Sequence, residues 1–195
     1  MARPRLALCL GNPGPKYSLT WHNAGFWVAD ALAREAGVSF TGAGLFSAVT
    51  LPCGLEIAKP ATFMNESGRT ASTLLRMRDM PPEELIVVCD DVNLSLGRLR
   101  LRENGSSGGH KGLASIIAAL GTESFARLRL GVGPGPSGAD LADFVLSKVP
   151  CDLEEDAGAM AFRAADCVLK AFTDGYQAAQ EIYNRAAPGE PEGNG

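Results

Sequence analysis

The chain has 195 residues, 46% hydrophobic and 21% charged, with five cysteines, two histidines and a formal net charge of −4. That length supports a single domain with a real core, and the composition is that of a soluble globular protein. No apolar run approaches membrane-spanning length, and Met1-Ala-Arg-Pro-Arg5 leads straight into a strand with no signal-peptide pattern, so a cytoplasmic protein without a membrane partner is expected. Cys9, Cys53, Cys89, Cys151 and Cys167 are scattered, odd in number and contain no C-x-x-C pair. They read as core residues of a reducing compartment, and with so few histidines the expectation is no metal site.

The charge is unevenly spread. Residues 1–150 hold fifteen Lys/Arg against thirteen Asp/Glu, whereas residues 151–195 hold three against nine. Arg98, Arg100, Arg102, Lys111, Arg127 and Arg129 fall in one region that has only Glu103 and Glu123 to oppose them. An acidic protein binds a polyanion if its basic groups share a face; the other reading of such residues is solvated strand edges.

Leu6-Ala-Leu-Cys-Leu10 reads as a buried strand, followed by a turn at Gly11-Asn-Pro-Gly14 and a helix over Phe26–Ala33. His22 stands where that loop meets the helix. Phe46–Leu51 and Leu55–Lys59 flank Pro52-Cys-Gly54 as a hairpin. A polar loop over 60–68 opens a helix at about Arg69–Arg78, with Thr62, Asn65 and Ser67 as candidate caps. Glu84-Leu-Ile-Val-Val-Cys-Asp90 is a continuous apolar run, hence a central strand, and is expected to end at the acid pair Asp90-Asp91.

Leu96–Arg102 alternates strictly, placing Arg98, Arg100 and Arg102 on one face and Leu99 and Leu101 on the other. A flexible loop over 103–109 leads to a helix at 112–120 stopped by Gly121. Ala126–Val132 is a second alternating strand, with a loop at 133–138 and a short helix around 139–146. Residues 152–186 read as helix in two pieces broken near Gly175, and residues 188–195 as a disordered tail, which leaves one domain over 1–187. Strands alternating with helices give an α/β class with a mainly parallel or mixed sheet.

Three loops that follow apolar strands carry polar groups able to converge: Asn12 to His22, Thr62 to Asn65, and Asp90-Asp91. An imidazole can take a proton from water, and a carboxylate on its other nitrogen fixes the tautomer. Asn12 and Asn65 can each hold a carbonyl or a water, because an amide both donates and accepts. From the residues alone, His22 is equally well read as a helix-end residue satisfied by local bonds.

Gly105-Ser-Ser-Gly-Gly109 is a formal G-x-S-x-G with Ser107 at the nucleophile position. Only His110 follows it, too close in sequence for the usual triad order. Gly133-Pro-Gly-Pro-Ser-Gly138 fits G-x-G-x-x-G, but its prolines remove the amide donors that a pyrophosphate needs.

Taken together, several stretches resemble the bacterial-type peptidyl-tRNA hydrolase family. They are Gly11-Asn-Pro-Gly14 with Tyr17 and Thr20-x-His-Asn-Ala-Gly25, Lys59-Pro-x-Thr-Phe-Met-Asn-x-Ser-Gly68, Asp90-Asp91, Gly108-Gly-His-x-Gly-Leu113, Arg127–Gly133 and Asp143–Lys148. They come in the family's order over about residues 5–150.

The resemblance implies a metal-free, cofactor-free monomer with no obligate protein partner and a twisted mixed sheet surrounded by helices. The expected reaction is cleavage of the ester joining a peptide to the terminal ribose of tRNA. Under it His22 is the general base, Asp90 its orienter and Asn12 the reader of the peptide main chain. Asn65 positions water or carbonyl, and Tyr17, Phe63 and Met64 shape the cleft. Arg102 and Arg129 fall where the family has basic groups for a tRNA phosphate.

Two positions depart from the family pattern. Lys111 stands where asparagine is usual, and lysine donates but cannot accept. Asn93 stands where an acid is common. An RNA-binding protein on the same fold, with catalysis weakened at Lys111, is the alternative to an esterase.

Overall fold

The continuous apolar runs form the middle of one six-stranded sheet. The protein is described by a computed structural model covering residues 3–135 and 141–185. Its strands are β1 (Leu6–Cys9), β2 (Phe46–Thr50), β3 (Glu56–Pro60), β4 (Leu85–Ser95), β5 (Leu99–Arg102) and β6 (Ala126–Gly133), in the order β2-β3-β1-β4-β6-β5. The four inner strands run parallel, and β2 and β5 close the two edges antiparallel. Helices α1 (Ala24–Glu35), α2 (Ser67–Arg78), α3 (Lys111–Leu120), α4 (Leu141–Leu146), α5 (Glu154–Asp174) and α6 (Tyr176–Tyr183) complete the chain. The fold is the expected single-domain α/β arrangement, mixed and largely parallel. The tail at 188–195 and part of the 133–138 loop lie outside the described residues.

Side chains alternate across each strand, so the sheet has two apolar faces. Ala7, Cys9, Ile57, Ile86, Val88, Leu128 and Leu130 meet α1, α5 and α6 on one face. Leu6, Leu8, Ala58, Leu85, Val87 and Cys89 meet α2 and α3 on the other. Burying one such leucine or isoleucine contributes about 1.5–3 kcal/mol. Helix α5 presents Ala157, Met160, Ala161, Ala164, Ala165, Val168 and Ala171 at helical spacing, and these small residues let it lie close to α1. Among the described residues no helix is long and apolar enough to cross a membrane.

Edge strand β5 keeps the predicted alternation, with Leu99 and Leu101 inward and Arg100 and Arg102 outward. Its free edge is covered by Asn184, whose Oδ1 accepts from the Leu101 N–H at 2.6 Å and whose Nδ2 donates to the Leu101 carbonyl at 3.0 Å. A side-chain amide thus completes the ladder that an edge strand leaves open.

Four local expectations are corrected. Strand β4 does not stop at Asp90-Asp91 but continues to Ser95 through a register shift against β6. Helix α1 starts at Ala24, after a 3-10 turn over Trp21–Asn23. None of Thr62, Asn65 or Ser67 caps α2, because another 3-10 turn, Met64–Glu66, runs into it: the Ser67 N–H goes to the Met64 carbonyl, and the Gly68 N–H to Ser115 Oγ at 3.0 Å. Strand β6 is buried at nearly every position, and Arg127 is only 1% exposed.

Gly25 fixes how close α1 lies to the sheet. A Cβ there would sit 2.5 Å from the Leu10 carbonyl oxygen and 2.6 Å from both the Leu10 nitrogen and the Val88 oxygen, all of them backbone. Alanine is the better helix former by about 1 kcal/mol, so propensity alone favours Gly25→Ala. The clash reverses the sign. Gly25→Ala is expected to cost about 1–3 kcal/mol and lower the thermal midpoint by several degrees. A melt at or above the wild-type midpoint would contradict this packing.

Candidate active site

The loops after β1 and β3, the middle of β4 and the start of α3 open together into a cleft of about 620 Å³. It lies toward the carboxyl ends of the parallel strands, where β1 passes the chain to neighbours on both sides. Asn12, Tyr17, His22, Phe63, Met64, Asn65, Asp90, Lys111 and Arg129 all line it. Of the residues to which the family resemblance gave a role, Arg102 is the one that does not; it stands exposed on β5.

The 3-10 turn explains how His22 is aimed. With three residues per turn, successive side chains leave at about 120° to one another. Trp21 goes into the core, 6.4 Å from the ring of Phe144 and 6.3 Å from that of Trp27. Asn23 goes to the neighbouring loop, where its Oδ1 accepts from the Asn12 N–H at 2.8 Å and its Nδ2 donates to the Asn12 carbonyl at 3.0 Å. His22 is left facing Asp90, with Nδ1 2.8 Å from Oδ1.

Asp90 is 3% exposed. Burial on its own raises a carboxyl pKa, but the hydrogen bonds and charges of His110 and His22 outweigh it and hold Asp90 well below its ordinary 3.8. The group is therefore an anion that only accepts. His22 Nδ1 must carry the proton, and its Nε2 keeps a lone pair for the cleft.

His110 is the residue that sequence reasoning passed over. Its Nε2 lies 3.1 Å from the same Asp90 oxygen, and its Nδ1 accepts from the N–H groups of Gly112 and Leu113 at 3.1 and 3.2 Å. It is at once the cap of α3 and a partner of Asp90. A signal was present: it is the second of only two histidines and follows a glycine-rich loop.

His22, Asp90 and His110 bring their ligand atoms within 4.8 Å of one another. Those atoms are already committed. His110 Nδ1 is occupied by backbone N–H groups, so Nε2 carries hydrogen, and both rings spend an N–H on the carboxylate. The set is a hydrogen-bonded relay and offers no convergent lone pairs to a cation.

Asn12 Oδ1 accepts from the Met64 N–H at 2.8 Å, which leaves its NH₂ as the group available to the cleft. Asn65 is exposed at the rim next to Met64. Tyr17 and Phe63 meet edge to face at 6.3 Å, and Leu141, Val145 and Leu146 extend this apolar wall. In the same cleft, Asp91 accepts from Arg129 Nη1 at 3.0 Å and from the Asn93 N–H and Nδ2 at 2.9 and 3.2 Å. An acid at position 93 could not make the Nδ2 donation, so the departure there is accommodated locally.

The basic cluster divides. Cross-strand register puts Arg100 opposite Arg129 and Arg102 opposite Arg127, on one face. Arg127 lies over the Phe125 ring and donates to the carbonyls of Gly105, Ser106, Glu123 and Phe125. It holds the loop before His110 and is not available to a phosphate. Arg129 Nη2 donates to the Ser106 carbonyl as well. Gly108, at φ +58, leaves room for it: a Cβ there would lie 2.6 Å from Arg129 Nη1. Lys111 is exposed at the first position of α3. Ser107 does not line the cleft, and its carbonyl accepts from the His110 N–H, so the nucleophile reading has no support in this geometry.

The peptidyl-tRNA hydrolase family model matches residues 6–191. The peptidyl-tRNA hydrolase of Mycolicibacterium smegmatis is 39% identical over 185 residues, covering 92% of this chain and 97% of that protein. That of Mycobacterium marinum is 40% identical over the same length. A crystal structure of peptidyl-tRNA hydrolase from Acinetobacter baumannii superposes with a TM-score of 0.87 at 28% identity, over 96% of this chain and 98% of that one. The family match across nearly the whole chain, the two relatives and the shared fold place this protein in the peptidyl-tRNA hydrolase family.

Proposed function

We propose that the chain hydrolyses the ester bond between a peptide, or an N-blocked amino acid, and the terminal ribose of tRNA, with His22 as general base and Asp90 as its orienter. The observation that carries this reading is the buried 2.8 Å contact between His22 Nδ1 and an ionised Asp90, open to a cleft through Nε2.

In the reaction, Nε2 takes a proton from water as the water oxygen attacks the ester carbonyl carbon. Asp90 stabilises the imidazolium that results. The tetrahedral intermediate collapses, the ribose oxygen leaves, and the imidazolium returns its proton to that oxygen. The products are a peptide carboxylic acid, which releases its proton to solvent as the carboxylate, and a free ribose hydroxyl, and His22 ends neutral. Asn12 offers its NH₂ to a peptide carbonyl, and Asn65 holds the water or the ester carbonyl. Tyr17, Phe63 and Met64 receive the peptide side. Arg102, Arg129 and Lys111 serve the polyanion, with Arg129 sharing its guanidinium with Asp91. The reading extends to a monomer that acts in the cytoplasm without a metal or a protein partner.

Single-turnover cleavage of a purified N-acetyl-aminoacyl-tRNA tests the base. His22→Ala is expected to lower the rate by about 10²–10⁴-fold with tRNA binding retained. An unchanged rate removes His22 from the chemistry. Tight binding by the wild-type chain without cleavage would favour the RNA-binding alternative.

Affinity for tRNA is expected to fall as salt rises, because phosphate contacts release counterions. Arg102→Ala or Arg129→Ala should each reduce the slope of log K against log salt by about one. A salt-independent affinity would contradict the phosphate role.

A further inference from the structure

We propose that Asn184, the residue that ends α6, is a positioning residue for the tRNA contact: by clamping Leu101 it fixes the end of β5 from which Arg102 meets a phosphate. The inference rests on the reading of Arg102 as a partner of the polyanion and adds the residue that keeps it in place.

In an antiparallel ladder, alternate residues turn their N–H and C=O away from the neighbouring strand. On β5 the outward pair next to Arg102 belongs to Leu101, and Asn184 takes both groups, at 2.6 and 3.0 Å. Water satisfies such edge groups equally well, so satisfaction alone does not call for a side chain. The amide adds a fixed position, because two bonds of opposite sense hold one peptide residue. The clamp is reinforced from both ends of the strand. Arg98 Nη2 donates to the Asn184 main-chain carbonyl at 2.9 Å, and Arg163 of α5 donates to the Gly97 carbonyl at 3.3 Å.

Asn184 is delivered by a seated helix. Tyr176 and Ala179 of α6 are buried, and the Tyr176 hydroxyl donates to the Glu83 carbonyl at 3.3 Å, beside the start of β4. The far end of α6 is thereby set against the sheet at β5.

Arg102 depends on this support more than the other arginines do. Arg127 is spent on backbone carbonyls, and Arg129 is held by Asp91 and Ser106. The Arg102 side chain is exposed and, among the described residues, has no hydrogen-bond or ion-pair partner. Its place is set by its backbone, which ends a strand of four residues with a single neighbour strand. The glycine-bearing loop over 103–109 starts at the next residue. Without the clamp the end of β5 frays into that loop, and a phosphate contact must first order it.

A double-mutant cycle on the full chain tests this, with N-acetyl-aminoacyl-tRNA as substrate, KM and kcat read separately, and amide hydrogen exchange followed at Leu101. Asn184→Ala is expected to raise KM by about two- to tenfold, to leave kcat unchanged and to speed exchange at Leu101. Arg102→Ala is expected to raise KM in the wild-type background and to add clearly less in the Asn184→Ala background, where the side chain it removes is already loose. Single effects that simply multiply, or a lowered thermal midpoint of Asn184→Ala with KM unchanged, would overturn the proposal and leave Asn184 a structural residue. If Asn184→Ala does not fold, the same cycle on Asn184→Ser, whose hydroxyl keeps one bond to Leu101, decides by the same criterion. An unchanged KM in Arg102→Ala alone would instead overturn the phosphate reading beneath it.

Discussion

A single carboxylate oxygen, Asp90 Oδ1, receives an N–H from each of the two histidines in the chain. A buried anion is tolerated only when it is hydrogen-bonded, and here two imidazoles bond one of its oxygens. The requirement reaches well beyond the three residues. His22 can arrive only if the 3-10 turn before α1 is seated, with Trp21 in the core and Asn23 on the Asn12 backbone. His110 can arrive only if α3 begins where it does. One atom on β4 therefore ties the starts of two helices to the central strand, and the same contacts that satisfy the charge set the tautomer of each ring.

The rest of the cleft is arranged around that point by residues that spend their polar groups on the backbone. Asn12 gives its carbonyl oxygen to Met64 and so joins the first loop to the second. Arg127 and Arg129 hold the carbonyls of the loop that delivers His110. This division explains how a basic stretch serves an acidic protein. The guanidinium of Arg127 is consumed in building the site, whereas Arg102 and Lys111 stay exposed beside it. Apolar Tyr17, Phe63 and Leu146 line the cleft together with polar Asp91, Asn93 and Arg129, a mixture suited to a substrate that is peptide at one end and nucleic acid at the other.

Much of this was legible in the sequence, for physical reasons. Buried parallel strands are continuous apolar runs, so β1 and β4 announce themselves, and β5 shows its single buried face by alternation. His22, Asp90 and Asn12 could be grouped because each follows such a strand. What could not be read depends on contacts between distant segments. The alternation of β6 suggested solvent for Arg127, but a loop twenty residues earlier covers it. The polar residues at 62–67 are of types that favour capping, but the first N–H groups of α2 are met by the Met64 carbonyl and by Ser115 from α3. Along the chain His110 stands beside Ser107, whereas its partner, Asp90, lies on β4, twenty residues earlier.

The pattern of protons on the two histidines is the centre of this account, and with no other imidazoles in the chain it can be observed directly. The decisive measurement is a long-range ¹H–¹⁵N correlation spectrum of the imidazole rings at a pH where both are neutral. Opposite tautomers are predicted, with His22 protonated at Nδ1 and His110 at Nε2. A spectrum in which His22 carries its proton on Nε2, or His110 on Nδ1, would contradict the shared-oxygen arrangement and the base that depends on it.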